Sequence, residues 1–415
     1  MPLATGKHFD RLTIAADWLA VGVAASLPLS TSATGILLVI WLLVLVPTLD
    51  GKSLRRELKM PAGALPVVLV ALGVFGMAWA DVTWFERWKG LESFLKLLMI
   101  PLLLVQFRRS DRARCVFGAY LASCLLVLLL SFAYYFSNHI AYFFSGDSFK
   151  TVPVKNAATQ SGEFVTCIFG LLYLAIDAFE RKRWLWLTGL LTLAFGFLAN
   201  ILYVATGRTA LVIILVLLGL LAIKRLSNRG IVAVCLGAIL IGGIGWVSAP
   251  NLRERVTQIW TDYESYAAND QRNSSGERIE FYKKSLSFIV EAPVIGHGTG
   301  TITALFAKAV TGESGSAASA TANPHNQTFA VAIQLGLVGA LVLWAMWIAH
   351  LLLFRGHGLA EWIGLVVVVQ NIAGSVFNSH LFDFGQGWVY VVGVGVAGGV
   401  ALKNRALAAT PARPS

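Results

Sequence analysis

Arg208 is a residue whose type and position suggest anion binding. It lies in the segment TGRTA, residues 206–210, which is a minimal joint between two apolar stretches. One interpretation is a structural arginine that extends its charged head to a membrane interface. The other is that the following stretch is a helix starting here, so that its backbone amides, its dipole and the guanidinium converge on one point. A diphosphate would fit that point, and Arg208 is therefore a candidate diphosphate-binding residue.

Arg278 is the second candidate because its position disfavours a cation. A helix is predicted over about 276–291, and a positive charge in its first turn opposes the helix dipole by roughly 0.3–1 kcal/mol. The structural alternative is a solvated arginine paired with Glu277 or Glu280. The functional interpretation is again the binding of an anion.

His325 is the third candidate and lies in the segment NPHNQ, residues 323–327. Asn323 is expected to be the N-cap and Pro324 the first residue of the next helix, which would place the imidazole in the first helical turn. The positive end of that helix would disfavour protonation and leave a neutral imidazole able to accept a proton near pH 7. The alternative is a loop histidine without a chemical role.

The sequence lacks the patterns of several other chemistries. It contains no Asp-x-Asp unit, no recognisable set of metal ligands and no glycine-rich loop for a nucleotide. We therefore expect no metal and no other cofactor. Any phosphorylated substrate is expected to be linked to a lipid rather than to a nucleotide.

The elements that position these residues must be those of a membrane protein. Of the 415 residues, 57% are hydrophobic and only 13% are charged, which is too little polar surface for a soluble globule of this size. The net charge of +11 could suggest a nucleic acid partner, but the basic clusters follow alternate apolar runs, as the positive-inside rule requires of cytoplasmic loops. The sequence predicts contacts with membrane lipids and no nucleic acid.

Twelve transmembrane helices account for every basic cluster. We predict them at 12–30, 34–49, 61–79, 91–106, 114–136, 162–178, 184–205, 209–223, 231–248, 325–353, 362–378 and 388–402. The fold class is then an all-α integral membrane protein with both termini in the cytoplasm. Its expected divisions are transmembrane helices 1–9 in residues 1–248, one large periplasmic loop in 249–322, transmembrane helices 10–12 in 323–402 and a cytoplasmic tail in 403–415.

The large loop is predicted to contain two amphipathic helices, at about 252–267 and 276–291. Ser274, followed three residues later by Glu277, matches a capping box at the start of the second. Such helices could lie across the membrane surface or cover a cavity. All three candidate residues then face the same side of the membrane.

Three groups of motifs in this region resemble the O-antigen ligase/polymerase superfamily of lipid-linked-glycan transferases. TGRTA at 206–210 is similar to its Ser/Thr-Gly-Arg motif. GER at 276–278, followed by PVIGHG at 293–298, looks like its Glu-Arg pair, amphipathic helix and Pro-x-x-Gly-x-Gly turn. PHN at 324–326, followed by QLGLVG at 334–339, resembles its His-Asn motif and Gly-Leu-x-Gly helix. Order and spacing agree over about 190–380.

The resemblance implies a GT-C-like glycosyltransferase of the bacterial inner membrane with its active site facing the periplasm. Its donor would be O-antigen linked to undecaprenyl diphosphate, and the acceptor of a ligase would be the lipid A core oligosaccharide. The resemblance assigns catalytic roles to all three candidates: Arg208 and Arg278 bind the diphosphate, and His325 acts near the acceptor hydroxyl. No metal would be needed.

Several alternatives stay open from the sequence. One dominant loop favours a ligase over an O-antigen polymerase, which usually has two large loops, and a protein O-oligosaccharyltransferase is a further possibility within the superfamily. A flippase of polar lipids would belong to another class. It would place basic residues within the spans in both leaflets, whereas only Lys96 falls well inside a predicted span.

Overall fold

The protein is built from helices throughout the part of the chain that the structure describes. The computed structural model describes residues 3–145, 152–269 and 271–409, and the side chains of these residues outside 3–9 and 138–145. Nine helices precede the joint before Arg208: α1 (Leu3–Ser26), α2 (Thr31–Leu45), α3 (Gly51–Leu58), α4 (Pro61–Gly76), α5 (Trp84–Leu95), α6 (Met99–Arg109), α7 (Ala113–Ser145), α8 (Ala157–Glu180) and α9 (Trp184–Tyr203). Eight follow: α10 (Arg208–Arg225), α11 (Asn228–Ser248), α12 (Pro250–Asn269), α13 (Ser274–Glu291), α14 (Ile302–Ala309), α15 (Gln327–Leu353), α16 (Leu359–Gly374) and α17 (Phe384–Ala408).

Each predicted span overlaps helical residues, but the count of twelve is supported only in part. Within the described ranges, eight helical segments are long and apolar enough to cross a membrane. One of them, Trp84–Arg109, is formed by α5 and α6 together, and α3 with α4 forms one further pair, bent by 87°. The other three predicted spans correspond to α1, α10 and α16. With 16 residues, α16 is shorter than the roughly 17–25 residues that a span usually needs, and α10 carries basic residues at both ends.

The central helix of the largest core is α17. Glycines on this helix permit a close approach, because a Cβ at Gly395 would lie 2.4 Å from the Cβ of Leu103 and one at Gly399 would lie 2.7 Å from the Cβ of Phe107. Small residues allow helices in membranes to pack at short distance. This packing holds α17 against α6 and so fixes the position of the loop that precedes α17, residues 375–383.

The two amphipathic helices predicted for the large loop are present as α12 and α13. The predicted capping box at Ser274 is wrong, because Asn273 is the N-cap of α13 and its Oδ1 accepts a hydrogen bond from the backbone N–H of Gly276 (2.8 Å). The hydroxyl of Ser274 instead donates to the carboxylate of Asp262 on α12 (3.1 Å). The start of α13 is thereby held against α12.

A break in the middle of α15 joins this helix to the large loop. Gly336 has a φ of +63° and interrupts the helix, and the turn after α13, residues 293–298, lies against the break. The backbone N–H of His297 donates to the carbonyl of Ile333 (2.9 Å). A Cβ at Gly336 would lie 2.1 Å from the backbone oxygen of Val294, so only glycine permits the contact. The two glycine motifs of the sequence therefore form a single joint, which fixes α13 relative to α15.

The predicted sidedness can be tested with single cysteines at Ser227 and Ser274, whose side chains are both exposed. In a variant whose four native cysteines are replaced, we expect an impermeant maleimide to label Ser274→Cys in intact spheroplasts. Ser227→Cys should react only after lysis. Labelling of Ser227→Cys in intact cells would reverse the predicted orientation and place Arg208, Arg278 and His325 in the cytoplasm.

Candidate functional site

One turn of α13 faces His325. The ring of Phe281 stacks on the imidazole, with the ring centroids 5.9 Å apart and the planes inclined by 19°. The hydroxyl of Tyr282 lies 3.1 Å from the carbonyl oxygen of His325 and 2.5 Å from that of Val376. Arg278 precedes these two residues by three and four positions and so shares their side of the helix. Its positive charge acts on the imidazole, and the structure thus brings two of the three predicted residues into electrostatic contact.

The backbone around His325 differs from the prediction. α15 begins at Gln327, and its N-cap is Asn326, whose Oδ1 accepts from the backbone N–H of Phe329 (3.1 Å). The side chain of Asn323, the predicted cap, accepts instead from the backbone N–H of His325 (2.9 Å). His325 has a φ of +55°, a left-handed conformation in which histidine is enriched among non-glycine residues. The imidazole therefore precedes the helix instead of lying in its first turn.

The neutrality of His325 has another cause than the predicted helix dipole. Burial penalises the imidazolium and lowers the pKa of His325 below its ordinary value of 6.5, and the charge of Arg278 lowers it further. The hydrogen bond with Asn378 and the charge of Glu277 raise the pKa, but by less. The neutral imidazole can accept a proton at pH 7.

Two residues that the sequence did not predict, Asn378 and Asp383, complete the surroundings of His325. They lie between α16 and α17. Asn378 Oδ1 is 3.1 Å from His325 Nδ1, and Asn378 Nδ2 donates to Asp383 Oδ2 (2.7 Å). Asn323 Nδ2 donates to the same Asn378 oxygen (2.7 Å). The one signal available in the sequence was the predicted topology, since the loop between the last two predicted spans is expected on the same side of the membrane as His325.

Arg208 is the first residue of α10, so the prediction that a helix begins at this joint is confirmed. Gly207 brings the joint close to α8, because a Cβ there would lie 2.2 Å from Ser161 Oγ. The guanidinium donates to Gln258 Oε1 on α12 (3.4 Å) and has no ion-pair partner in the described part of the chain. The half-buried charge of Arg208 is therefore not neutralised by a carboxylate in direct contact.

Positive charge accumulates where α10, α12 and α13 meet. The charges of Arg255 and Arg278 both act on Arg208, with Asp262 as the opposing carboxylate. A cavity of about 610 Å³ adjoins the joint. Its charged lining residues are Lys155, Arg255 and Glu254, and Lys155 is paired with Glu163 (2.8 Å). The positive charges of Arg208 and Arg255 at this joint would favour an anion.

The carboxylates that could have paired with Arg278 have other partners. Glu277 accepts from Arg272 (2.8 Å), and Glu280 pairs with Lys283 (2.8 Å). No ion-pair partner of Arg278 lies within the described residues. The alternative of a solvated arginine neutralised by Glu277 or Glu280 is therefore not what the structure contains, and the guanidinium of Arg278 is available to a ligand.

The described residues contain no group of three or more His, Cys, Asp or Glu side chains that could hold a metal ion. Two other histidines lie near the site and have contacts within the fold. His297 Nε2 lies 2.8 Å from the carbonyl oxygen of Phe288. The backbone N–H of His380 donates to the carbonyl of Asn378 (2.9 Å), and burial lowers the pKa of its imidazole to about 4.

The helices and the site together define a class of protein: a multi-pass α-helical membrane protein with a cationic site that also contains a neutral histidine. Residues 193–344 match the model of a family described as O-Antigen ligase, which confirms the resemblance to the O-antigen ligase superfamily over that segment. All three predicted site residues lie inside the matched segment, whereas Asn378 and Asp383 lie beyond it.

A curated relative from Haemophilus influenzae, described as an uncharacterized protein, is 29% identical to this chain over 162 residues. The alignment covers 36% of this chain and 40% of that relative. The description of that relative carries no statement about activity.

Proposed function

We propose that this protein is an O-antigen ligase of the bacterial inner membrane. It transfers O-antigen polysaccharide from undecaprenyl diphosphate to a sugar hydroxyl of the lipid A core, on the periplasmic side and with inversion at the anomeric carbon. The observation that carries the proposal is that Arg278 is close enough for its charge to act both on Arg208 and on the neutral His325. All three residues lie inside the segment that matches the family. Neither arginine has an ion-pair partner among the described residues, which suits both to a diphosphate.

The reaction needs one proton acceptor and one site for a leaving group. His325 takes the proton of the acceptor hydroxyl, and the oxygen forms a bond to the anomeric carbon of the donor. The bond between that carbon and the phosphate oxygen breaks, and its electron pair leaves with undecaprenyl diphosphate. Arg208 and Arg278 stabilise the charge that develops on the diphosphate.

Metal independence is part of the proposal, because the two guanidinium groups supply the positive charge that a divalent cation provides in other enzymes of diphosphate chemistry. We expect transfer to continue in excess EDTA. A reaction that stops with the chelator and resumes with added Mg²⁺ or Mn²⁺ would contradict this part.

The contacts of Lys96 further weaken the flippase alternative, which requires basic residues within the spans in both leaflets. Lys96, the basic residue well inside a predicted span, donates to the backbone carbonyls of Phe382 (2.9 Å) and Asp383 (3.0 Å). These bonds give the buried ammonium a structural role, so that it does not point to a headgroup pathway through the membrane.

The decisive experiment is reconstitution of the pure protein in liposomes with an undecaprenyl-diphosphate glycan and rough lipopolysaccharide. A glycan joined to the lipid A core would support the ligase. A glycan joined only to another copy of the glycan would favour the O-antigen polymerase, and a glycan joined only to a serine-containing peptide would favour the protein O-oligosaccharyltransferase. Movement of lipid between leaflets without any transfer would overturn the proposal in favour of a flippase.

The pH dependence of transfer follows from the lowered pKa of His325. Only the neutral imidazole accepts the proton, so activity is complete above the pKa and is lost as the pH falls through it. Because the pKa lies below the ordinary 6.5, we expect the acid limb of kcat/KM to have its midpoint below pH 6.5. Initial rates between pH 4.5 and 8 measure this limb, and a midpoint above 6.5 would be inconsistent with a buried base beside Arg278.

A further inference from the structure

The orientation of the Asn378 amide is fixed from two sides. Asp383 Oδ2 lies 2.7 Å from Asn378 Nδ2, and an ionised carboxylate can only accept, so the amide nitrogen must face Asp383. On the other side, Asn323 Nδ2 lies 2.7 Å from Asn378 Oδ1. An amide NH₂ can only donate, so the group facing Asn323 must be the Asn378 oxygen.

Asn323 is itself held in a single orientation. Its Oδ1 accepts from the backbone N–H of His325 (2.9 Å) and from the hydroxyl of Ser379 (2.7 Å). A backbone N–H is an obligatory donor, which leaves the Asn323 oxygen on that side and its NH₂ toward Asn378. The orientations of both amides therefore follow from a carboxylate and a backbone N–H, whose roles as acceptor and donor are not interchangeable.

The same oxygen of Asn378 determines which tautomer the His325 imidazole adopts. His325 Nδ1 lies 3.1 Å from Asn378 Oδ1, and this oxygen can only accept, so a neutral imidazole must carry its proton on Nδ1. The lone pair is then on Nε2. The two ring nitrogens are distinct, and the hydrogen bond at one sets the protonation of the other.

We propose that Asn378 is a positioning residue that selects the Nδ1-protonated tautomer of His325 and keeps Nε2 free to receive a proton, and that Asp383 holds Asn378 in the orientation required. The role of Nε2 in transfer rests on the function proposed above. The selection of the tautomer does not, because it follows from the hydrogen bonds alone.

Asp383 is held in place by Lys96, and its carboxyl group is ionised at pH 7. Lys96 Nζ donates to the backbone carbonyls of Phe382 and Asp383, and its charge acts on the Asp383 carboxyl. Burial raises the pKa of Asp383 to about 6, against the opposing effect of Lys96, so the carboxylate is the prevailing form at pH 7. Lys96 is thereby placed at the far end of a polar chain that runs through Asp383 and Asn378 to His325.

The charged groups that act on the imidazole come from two sides. Arg278 and Glu277 lie on α13 and change the pKa of His325 in opposite directions. Asp383, from the loop before α17, is separated from the ring by Asn378. A carboxylate in place of Asn378, with an amide in place of Asp383 to donate to it, would therefore put negative charge next to the imidazole and raise its pKa.

The test compares Asn378→Leu with the exchange Asn378→Asp/Asp383→Asn. Leucine has a similar size but cannot accept a hydrogen bond, so both tautomers become accessible, and we expect kcat to fall roughly 10²-fold with the donor KM within about twofold. In the exchange, the new carboxylate accepts from Nδ1 and from the amide that replaces Asp383, so the double variant should recover most of the lost kcat and should shift the acid limb to higher pH. Ser375→Ala, in the same loop and with a hydroxyl that lacks a partner within the described residues, is the matched control and should behave as the wild type.

A second readout is independent of activity. In protein labelled with ¹⁵N-histidine, with the His325 signals identified by their loss in His325→Ala, we expect a protonated Nδ1 and an unprotonated Nε2 at pH 8. Asn378→Leu should reduce this preference and the exchange Asn378→Asp/Asp383→Asn should keep it. A wild-type spectrum with the proton on Nε2, or an Asn378→Leu protein with the kcat and pH profile of the wild type, would overturn the inference.

The two readouts separate this inference from the proposed function. If the Nδ1 tautomer is found and depends on Asn378, while liposomes show no glycan transfer, the ligase proposal fails and the tautomer selection stands. If the wild type transfers glycan but its tautomer does not respond to Asn378→Leu, the ligase proposal stands and the role of Asn378 is wrong.

Discussion

His325→Ala should bind the donor lipid normally and lose transfer by roughly two to four orders of magnitude, the range that removal of a general base usually produces. The physical reason is that the imidazole is the proposed proton acceptor, and the other titratable group in its hydrogen-bond chain, Asp383, is separated from it by Asn378. The loss should appear in kcat, since the residues proposed for the diphosphate are unchanged. Single-turnover rates and donor binding in liposomes measure the two quantities separately.

The control for this variant is His357→Ala. Its side chain is exposed in the short connection between α15 and α16, at the opposite end of α15 from His325, and its removal should leave transfer unchanged. Wild-type turnover of His325→Ala at saturating acceptor would mean that the diphosphate leaves without a dedicated base. His325 would then only position the sugar.

The sequence predicted most of the helices because their signals are local. An apolar run of sufficient length must cross the membrane or be buried, and α12 and α13 show the helical period that an amphipathic surface requires. The number of spans was less certain for physical reasons. α16 is short and α10 begins and ends with basic residues, so length and hydropathy alone do not distinguish a full crossing from a partial one.

The N-terminus of α15 illustrates where local patterns are insufficient. Both Asn323 and Asn326 are good N-cap residues, and the sequence favoured the first because Pro324 follows it. In the structure, Asn323 is engaged by Ser379 and Asn378 from the loop before α17, and this tertiary contact leaves Asn326 to cap the helix. The sequence predicted a lowered pKa for His325 from the helix dipole. In the structure the pKa is lowered as well, but by burial and by the charge of Arg278.

Asn378 and Asp383 could not be found from spacing, because they reach His325 from more than fifty residues away. Their position depends on the packing of α17 against α6, which rests on glycines such as Gly395 and Gly399. The glycine motifs at 293–298 and 334–339 were visible in the sequence, but the sequence did not show that the two segments contact each other. Only the structure places the turn after α13 in the break at Gly336.

Arg278→Gln should reduce transfer by on the order of 10²-fold or more, comparable with the loss of one donor that stabilises developing charge in a transition state. Glutamine keeps much of the length and polarity of arginine but removes the positive charge and the paired N–H groups that suit a phosphate. Arg253→Gln is the matched control, because Arg253 is exposed on α12 and also loses one positive charge; its transfer rate should stay close to that of the wild type.

The same substitution should also move the pH profile. The charge of Arg278 lowers the pKa of His325, so its removal raises that pKa, and the residual activity of Arg278→Gln should have its acid limb at higher pH than the wild type. The lower rate comes from lost stabilisation of the leaving diphosphate, and the shifted acid limb comes from the raised pKa of the base. Both are expected only if Arg278 acts on the diphosphate and on His325. Initial rates of the variant across pH 4.5 to 8, at saturating donor, measure both. A variant with near-normal turnover and an unshifted acid limb would reduce Arg278 to a surface charge and remove the link on which the proposed site depends.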